Sequence, residues 1–588
     1  MRRVAMAAIS VSVGMAVLAL AGVAFHKSDV SSSVGTGQES RLWSMQPSDD
    51  DTGREFMDSV AGLPGIPYSS EQLQSLRHPP KASSLQQNGS ATTPPPVPTI
   101  PERATVLVVE RIGVSLDRGF ETAASEFEAK YADFVSSMQA VRPETVRGIR
   151  LGKVLHHGPW LWWHGRLKDM YRHSEVASNI DMFVSHSWQT PAWKKYLNLL
   201  ILRNGLPAMV LGTLGASVAN VLSQHLILPP LEVLGGGWCL LSGCLIYYLT
   251  LLRWRPRTIL FWDSACINQH DPLLKAEGLA SLGAILKQSK TLLVLWDQTF
   301  VSRLWCMFEM AAYLHGRAGS SASVTVRSPL AGVLVLSVHA SLCMITFLYF
   351  LPADSFFEPS QTMVVIACLA LPGILSFSFV ISTVRAYWRD IDTMEQHMLS
   401  FALDNSKCAC CSPEQTDDCN KRVCDRRIMK TCIENWFGQV SSFESRIRSE
   451  ERTALADKLR NHLIVYFEMV LAGSPLIWSG LELLLRVPPD LQIPMLIKKT
   501  VECLAVLPII LKVFSLVTYK LRFRWCSRHL DFCLSVGIAA MGMSMWAMYL
   551  VIDFYVIYHF IVNPFAASLT SASVWLLLLL TVWTWIRE

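Results

Sequence analysis

Long apolar runs separated by polar segments dominate the chain after residue 200. A helix needs about 20 mainly apolar residues to cross the hydrocarbon core of a bilayer. Eight stretches meet or approach that length: 206–227, 237–252, 330–351, 362–385, 461–485, 500–518, 531–552 and 566–586. They come in pairs joined by short links. The pattern therefore predicts an α-helical multi-pass membrane protein whose longer segments all return to the same side of the bilayer.

A second pattern, in which short apolar runs alternate with amphipathic stretches, lies around the first predicted hairpin. The strand-like runs are "NIDMFVSHSW", "RTILFWDSACINQHDP", "KTLLVLWDQ" and "SVTVRS". Strands that alternate with helices are typical of a parallel sheet with helices on its faces. Ligands bind such sheets beyond the carboxyl ends of the strands. We expect the polar segments "SHSW", "DSACINQHD" and "WDQTFVSR", which follow three of the strands, to meet at that edge.

Composition and patterning together divide the chain into segments of different character. The N-terminal run 1–25 has the features of a signal or targeting segment or of a signal anchor, and 26–104 is rich in Ser, Pro, Gln and Gly, as disordered linkers are. The remaining parts are an unassigned soluble segment at 105–176, a split α/β domain at 177–205 and 253–328, hairpins at 206–252 and 330–385, a Cys-rich segment at 386–460 and four transmembrane helices at 461–586.

The distribution of charge gives the expected orientation. Hydrophobic residues make up 51% of the chain and charged residues only 17%, which favours a membrane protein over a soluble one. The long segments 253–328, 386–460 and 519–530 are rich in Lys and Arg, so the positive-inside rule places them in the cytosol. One link, 486–499, breaks the pattern because it carries Arg486, Lys498 and Lys499. A cleaved signal peptide at 1–25 would instead put the soluble segments in the lumen, and we follow the loop charges.

Three short motifs resemble known domains. "DMFVSHSW" and "SRLWCMFEM" resemble the TIR (Toll/interleukin receptor) domain, which has a D-x-F-x-S first strand and, in plants, an S-x-W-C-L-x-E-L helix. "FWDSACINQHD" is similar to the W-x-D-x-x-C-I-N-Q-x-D core of fungal heterokaryon-incompatibility domains. The residues that carry these resemblances are Asp181, Phe183, Ser185, Trp262, Asp263, Cys266, Ile267, Asn268, Gln269, Asp271, Ser302, Trp305, Cys306 and Glu309. The resemblance covers about a quarter of the chain and implies a flavodoxin-like parallel sheet.

The TIR resemblance also implies an activity. Active TIR domains cleave NAD at the nicotinamide–ribose bond with the glutamate of the helix motif, and that role would fall on Glu309. Trp305, one helical turn earlier, could stack on nicotinamide. Further residues expected to line a nucleotide site are Phe183, Ser185, His186, Ser187, Trp188, Asp263 and Asn268. The place where active TIR domains often carry arginines reads "SHSW" here, and a membrane hairpin splits the domain.

Other functions remain open at this point. Glu309 is equally compatible with a solvated charge on an amphipathic helix, in which case the domain would be a non-catalytic scaffold that signals by self-association. Intramembrane charges such as Glu468 and Lys512 would suit a channel or transporter that the domain regulates. The expected partners are the lipid bilayer and a second copy of the chain, and nucleic acid is not expected.

The segment "KCACCSPEQTDDCNKRVC" raises the question of a metal. Thiols in a reducing compartment more often bind metal than form disulfides, and four thiolates can hold a structural zinc ion. The candidate ligands are Cys408, Cys410, Cys411, Cys419 and Cys424. Their C-x-C-C spacing differs from the usual pair of C-x₂-C knuckles, so unliganded thiols are the alternative.

Overall fold

A computed structural model gives the architecture of most of the chain after residue 119. It describes residues 120–164, 166–229, 237–317, 323–350, 359–407, 424–461, 465–525, 527–553, 561 and 563–585. The predictions for 1–25 and 26–104 lie outside this part. So do the strand-like run at 105–110 and four of the five candidate zinc ligands, Cys408, Cys410, Cys411 and Cys419.

Helices make up most of the described residues. Before residue 330 the chain contains α1 (Phe120–Ser136), α2 (Leu151–Trp163), α3 (Ala192–Gln224), α4 (Trp238–Arg253), α5 (Asp263–Cys266), α6 (Pro272–Ala280), α7 (Leu282–Gln288) and α8 (Leu304–Gly316). After residue 330 it contains α9 (Ala331–Phe350), α10 (Pro359–Leu399), α11 (Asp425–Phe437), α12 (Val440–Arg446), α13 (Arg452–Asn461), α14 (Tyr466–Leu484), α15 (Pro489–Val501), α16 (Leu507–Lys520), α17 (Arg528–Val551) and α18 (Pro564–Trp585). Two π-helical turns, Ile447–Glu451 and Glu502–Val506, join α12 to α13 and α15 to α16.

Six short strands form one mixed sheet. They are β1 (Arg147–Arg150), β2 (Glu175–Val176), β3 (Ile180–His186), β4 (Ile259–Phe261), β5 (Ser289–Leu295) and β6 (Val324–Arg327), in the spatial order β2-β1-β4-β3-β5-β6. Strands β4, β3, β5 and β6 are parallel to one another. The alternation of strand and helix predicted this parallel part, because parallel neighbours need a crossover connection.

Two strands from the previously unassigned segment extend the sheet. β1 pairs antiparallel with β4, through Ile149 and Leu260, and β2 pairs antiparallel with β1. The backbone of Leu151 then donates to the carbonyl of Thr258, so the start of α2 lies against the chain that enters β4. The parallel strands on either side of the first hairpin therefore belong to the same sheet as β1 and β2, which come from the segment before β3.

The helix that follows β3 does not stop at the edge of the sheet. The sequence pattern suggests an amphipathic helix after residue 190 and a separate span at 206–227, but α3 is one helix of 33 residues. It is long and apolar enough to cross a membrane. The two expected elements merge because Pro207 in the interior of α3 does not end the helix. The loop 187–191 is thus the connection between the end of β3 and a candidate membrane span.

Six described helices are long and apolar enough to span a bilayer, as expected for a multi-pass membrane protein. They are Ala192–Gln224, Ala331–Phe350, Tyr466–Leu484, Pro489–Lys520, Arg528–Val551 and Pro564–Thr584. The second predicted span corresponds to α4, which is apolar but only 16 residues long. The fourth lies within the 41-residue helix α10, which continues far beyond residue 385.

The basic link 486–499 is largely helical, and its cations have partners within the bundle. Lys498 Nζ lies 2.5 Å from a carboxylate oxygen of Asp553, and Lys499 Nζ lies 2.7 Å from one of Glu502. The guanidinium of Arg486 lies over the ring of Phe350, 5.2 Å from its centroid. Because a charge within a helix bundle is costly unless it has a partner, these contacts explain how the bundle accommodates the three cations.

A buried ion pair joins the sheet to the helix bundle. Arg327, the last residue of β6, donates from Nη2 to Glu468 in the first turn of α14 and from Nε to Asn198 Oδ1 on α3, at 3.0 Å. The side chains of Arg327 and Glu468 are only 9% and 6% exposed. Of the two intramembrane charges singled out from the sequence, Glu468 is therefore paired with this arginine. Lys512 lies over the ring of Trp583, 5.6 Å from its centroid.

This ion pair gives a prediction about stability. Removing one member of a buried pair leaves the other charge uncompensated, so Glu468→Gln should lower the free energy of unfolding by roughly 3–5 kcal/mol. Denaturant unfolding of the full-length protein in detergent, followed by tryptophan fluorescence, would measure the loss.

Two further variants test the assignment. Glu450→Gln removes an exposed partner of Arg446 and should change stability by no more than about 0.5 kcal/mol. Replacing both Arg327→Met and Glu468→Leu should recover most of the loss. Equal effects of Glu468→Gln and Glu450→Gln would contradict a structural role for the pair.

Candidate functional site at the carboxyl edge of the sheet

The polar segments after three parallel strands meet at one edge of the sheet. β3 ends at His186, β4 at Phe261 and β5 at Leu295, and these strands are parallel. Their carboxyl ends therefore lie side by side, and the residues that follow each strand come together there. The start of α8, which carries Glu309, lies at the same edge.

Glu309 points toward β3 rather than into open solvent. The hydroxyl of Ser185 donates a 2.5 Å hydrogen bond to Glu309 Oε2, across 124 residues of sequence. One turn earlier on α8, the thiol of Cys306 donates to the backbone carbonyl of His186, with a sulfur–oxygen distance of 3.6 Å. These two contacts fix the first half of α8 against the last two residues of β3. The residue as a whole is half-buried.

This environment changes the acidity of Glu309. Burial raises the pKa of its carboxyl group to about 8, the hydrogen bond from Ser185 acts in the opposite direction, and the negative charge of Asp263 adds to the rise. The carboxyl group is therefore mostly protonated at neutral pH in the free protein. Strongly shifted carboxyl groups are found at functional sites more often than elsewhere, which makes Glu309 the centre of the candidate site.

Asp263 connects two of the three loops. Its Oδ2 accepts a 2.9 Å hydrogen bond from the indole nitrogen of Trp188, and its Oδ1 lies 3.9 Å from His186 Nε2. The imidazole of His186 lies edge-on to Trp262, with ring centroids 5.5 Å apart. Burial, together with the nearby cation of Lys195, lowers the pKa of His186 well below its usual range. His186 is therefore neutral near pH 7 and cannot act as a protonated acid there.

The loop after β5 completes the edge and involves residues that the motifs did not single out. Thr299 Oγ1 lies 2.7 Å from the hydroxyl of Ser187, and Asp297 accepts hydrogen bonds from both Thr299 and Thr190. Only their position directly after a buried strand could have pointed to Asp297 and Thr299. The loops after β3 and β5 are thus cross-linked by hydrogen bonds.

Several residues of the predicted site have other surroundings. Phe183 lies in the sheet interior, stacked on Phe261 at a centroid distance of 4.8 Å. Asn268 accepts hydrogen bonds from the backbone of His270 and Asp271 and so shapes the turn before α6. Trp305 packs edge-on against Phe308, 6.0 Å away. Ser185, His186, Ser187, Trp188, Asp263 and Glu309 are the predicted residues that these contacts bring together.

The first-strand motif separates into distinct physical roles. Asp181, at the start of β3, accepts from the backbone of Ile259 and lies 2.8 Å from Lys290 Nζ, so it connects three strands. Phe183 fills the core, and Ser185 reaches Glu309. Since alternate residues of a strand share a face, the D-x-F-x-S spacing places all three on the same side of the sheet.

No group of His, Cys, Asp and Glu side chains in the described residues is arranged to hold a metal ion. Of the five candidate zinc ligands, only Cys424 is described. Its side chain is buried, and its backbone N–H donates to Glu128 Oε1 at 2.8 Å, which joins the start of α11 to α1. Comparisons with protein-family models, with curated proteins and with solved structures each return no match.

The raised pKa of Glu309 gives a second prediction. A carboxyl group whose pKa is higher in the folded state than in the unfolded state binds more protons when folded, so its ionisation costs stability as pH rises from about 4.5 to 8. Glu309→Gln removes that ionisation. We expect the thermal stability of the variant, relative to the original protein, to increase between pH 5 and pH 8 and then to level off.

Thermal unfolding of both proteins in detergent across this pH range checks the prediction. Glu144→Gln, at an exposed glutamate before β1, is the matched control and should show no such trend. A difference between Glu309→Gln and the original protein that stays constant from pH 5 to pH 9 would show that Glu309 is already ionised at low pH.

Proposed function

We propose that this chain is a membrane-tethered signalling protein with a TIR-like sheet domain that cleaves NAD to nicotinamide and ADP-ribose. The observation that carries the proposal is the half-buried residue Glu309, whose carboxyl group is held by Ser185 at the carboxyl edge of a parallel sheet. This is the edge at which open α/β sheets bind ligands. The resemblance of "DMFVSHSW" and "SRLWCMFEM" to TIR motifs supplies the reaction.

The chemistry needs one well-placed carboxylate. The bond between the ribose C1′ and the nicotinamide nitrogen breaks, and its electron pair leaves with the nicotinamide ring. The sugar becomes oxocarbenium-like, and an ionised Glu309 can stabilise that positive charge and hold the ribose hydroxyls. Water then attacks C1′ and loses a proton to the carboxylate. The balance is NAD⁺ and water in, and ADP-ribose, nicotinamide and one proton out.

Substrate binding would favour the reactive form of Glu309. The nicotinamide ring of NAD⁺ is cationic, and a positive charge within a few ångströms lowers the pKa of a carboxyl group. The same charge would offset the burial that keeps Glu309 protonated in the free protein. Ser185 contributes by donating its hydrogen to the ionised oxygen, which makes it a positioning residue for Glu309.

A non-catalytic scaffold is the second candidate, and a specific observation favours it. The hydrogen bonds Trp188–Asp263, Ser187–Thr299 and Thr190–Asp297 hold the loops of the edge against one another. Loops cross-linked in this way offer a rigid surface to a second copy of the domain. NAD hydrolysis requires the Trp188–Asp263 contact to open far enough to admit a ribose.

A direct measurement distinguishes the two candidates. The full-length protein in membranes should release nicotinamide from NAD, and Glu309→Ala and Glu309→Gln should each lower the rate at least 100-fold, because removing a transition-state charge partner costs that much in comparable sites. Glu144→Gln, made to the same level, should retain the original rate. No nicotinamide release over a range of protein densities in the membrane would leave the scaffold as the function.

The pH dependence provides a sharper test. Since the free protein must lose the Glu309 proton before it can react, kcat/KM should rise about tenfold per pH unit below pH 8 and become flat above it. Ser185→Ala removes a hydrogen bond that lowers the pKa, so its profile should move to higher pH. Asp263→Asn removes a negative charge that raises the pKa, so its profile should move to lower pH.

These opposite shifts separate a titrating Glu309 from a structural one. Steady-state rates from pH 5 to pH 10, with folding checked by near-UV circular dichroism, would give the three profiles. If both variants lost activity equally at every pH without any displacement of the profile, Glu309 would not be the titrating group.

A further inference from the structure

Two cysteines on different helices of the bundle are in contact. Cys244 lies in the middle of α4 and Cys343 in the second half of α9, and their sulfur atoms are 3.4 Å apart. Both side chains are buried, with 3% and 1% exposure. A disulfide has a sulfur–sulfur bond of about 2.0 Å, so a further approach of about 1.4 Å would join them. No other residue stands between the two sulfurs.

A histidine lies against one of these thiols. His339, one turn before Cys343 on α9, has its Nδ1 3.6 Å from the sulfur of Cys343 and 3.0 Å from the hydroxyl of Tyr248. The imidazole stacks on Tyr247 at a centroid distance of 4.1 Å, and Trp478 lies edge-on to it. Because Nδ1 faces the thiol of Cys343, it is placed to accept that proton when the thiolate forms.

Nδ1 of His339 lies between the thiol of Cys343 and the hydroxyl of Tyr248, whereas the other ring nitrogen faces no polar partner in the part of the chain that the structure describes. The hydroxyl of Tyr247 and Nε2 of His339 are buried polar atoms without a hydrogen-bond partner among the described residues. An unpaired polar side chain in the hydrophobic core of a bundle is costly and is more often functional than structural. Thiolates, rather than thiols, react with oxidants, so a base beside a buried thiol is what an oxidisable cysteine requires.

We propose that Cys244 and Cys343 form a reversible intramembrane dithiol–disulfide site whose oxidant is a hydroperoxide. The site is independent of the activity proposed for Glu309. Hydrogen peroxide is small and uncharged, as an oxidant that reaches two shielded thiols must be. His339 takes the proton of Cys343, and the thiolate attacks one peroxide oxygen to give a sulfenic acid. The O–O bond breaks, and the departing hydroxide takes the proton back from His339 and leaves as water. The thiol of Cys244 then displaces water from the sulfenic acid to give the disulfide.

The position of the site determines what oxidation would constrain. α4 is the second arm of the hairpin that separates β3 from β4, and α9 begins four residues after the end of β6. A bond between Cys244 and Cys343 closes a loop of chain that contains β4, β5, α8 and β6, and hence both Asp263 and Glu309. The helix α4 enters this part of the sheet from the hairpin, and α9 leaves it. The disulfide would therefore link the two helices that flank β4, β5 and β6 in the sequence.

Oxidation of the unaltered full-length protein in membranes is the first test. The protein is treated with hydrogen peroxide, remaining thiols are blocked with N-ethylmaleimide, and peptides are analysed by mass spectrometry without reduction. We expect a linked pair of peptides that contains Cys244 and Cys343 and that disappears after dithiothreitol. The exposed thiol of Cys533 reports that the peroxide dose is sufficient. Complete oxidation of Cys533 without any linked pair overturns the proposal.

Variants then test the pairing and the base. Cys244→Ser and Cys343→Ser should each abolish the linked pair, whereas Cys239→Ser, at another buried cysteine of α4, should leave it unchanged. His339→Gln keeps a hydrogen-bond acceptor for Tyr248 but is a much weaker base, and it should slow formation of the disulfide at least tenfold. An unchanged rate in His339→Gln overturns the role of the histidine. Because the linked peptides are measured in the unaltered protein, the result does not depend on any variant folding.

Discussion

The buried pair between Arg327 and Glu468 is the contact on which the relation of sheet and membrane bundle depends. Arg327 ends β6, and Glu468 lies in the first turn of α14. Asn198 of α3 binds both the guanidinium of Arg327 and the carbonyl of Ser328. Charges removed from water must be paired, and here the partners come from three elements far apart in sequence. The sheet can therefore keep its charged last residue buried only while α3 and α14 stay where they are.

The helix α3, which binds Arg327 through Asn198, also follows the strand β3 that contacts the candidate site. Ser185 and His186 hold α8 in place, and α3, which begins at Ala192, runs directly from that loop into the membrane region. The loop after β3, which carries residues of the candidate site, and the first hairpin are therefore adjacent along the chain.

The sequence predicted the parallel strands and most of the candidate membrane spans because both produce a local pattern of apolar residues. It missed the two antiparallel strands at 147–150 and 175–176, since a strand of two to four residues has too few positions to show an alternation. It also treated Lys498 and Lys499 as exceptions to the charge rule. Their carboxylate partners, Asp553 and Glu502, are set by helix packing, which one-dimensional charge counts do not contain.

At the site, the motifs identified Glu309 and its neighbours but not their physical state. The spacing of "SRLWCMFEM" places a carboxyl group on a helix, while its raised pKa arises from burial and from the distances to Ser185 and Asp263. These are properties of the packed edge. They also reverse the simplest interpretation of an acidic residue on an amphipathic helix. A solvated glutamate would be ionised at neutral pH, whereas this one keeps its proton up to about pH 8. The fold therefore keeps the carboxyl group of a half-buried residue neutral at pH 7. Burying Glu309 lowers the stability of the folded protein above about pH 4.5. A carboxyl group that destabilises the fold in this way is better explained by a binding or catalytic role than by a packing role.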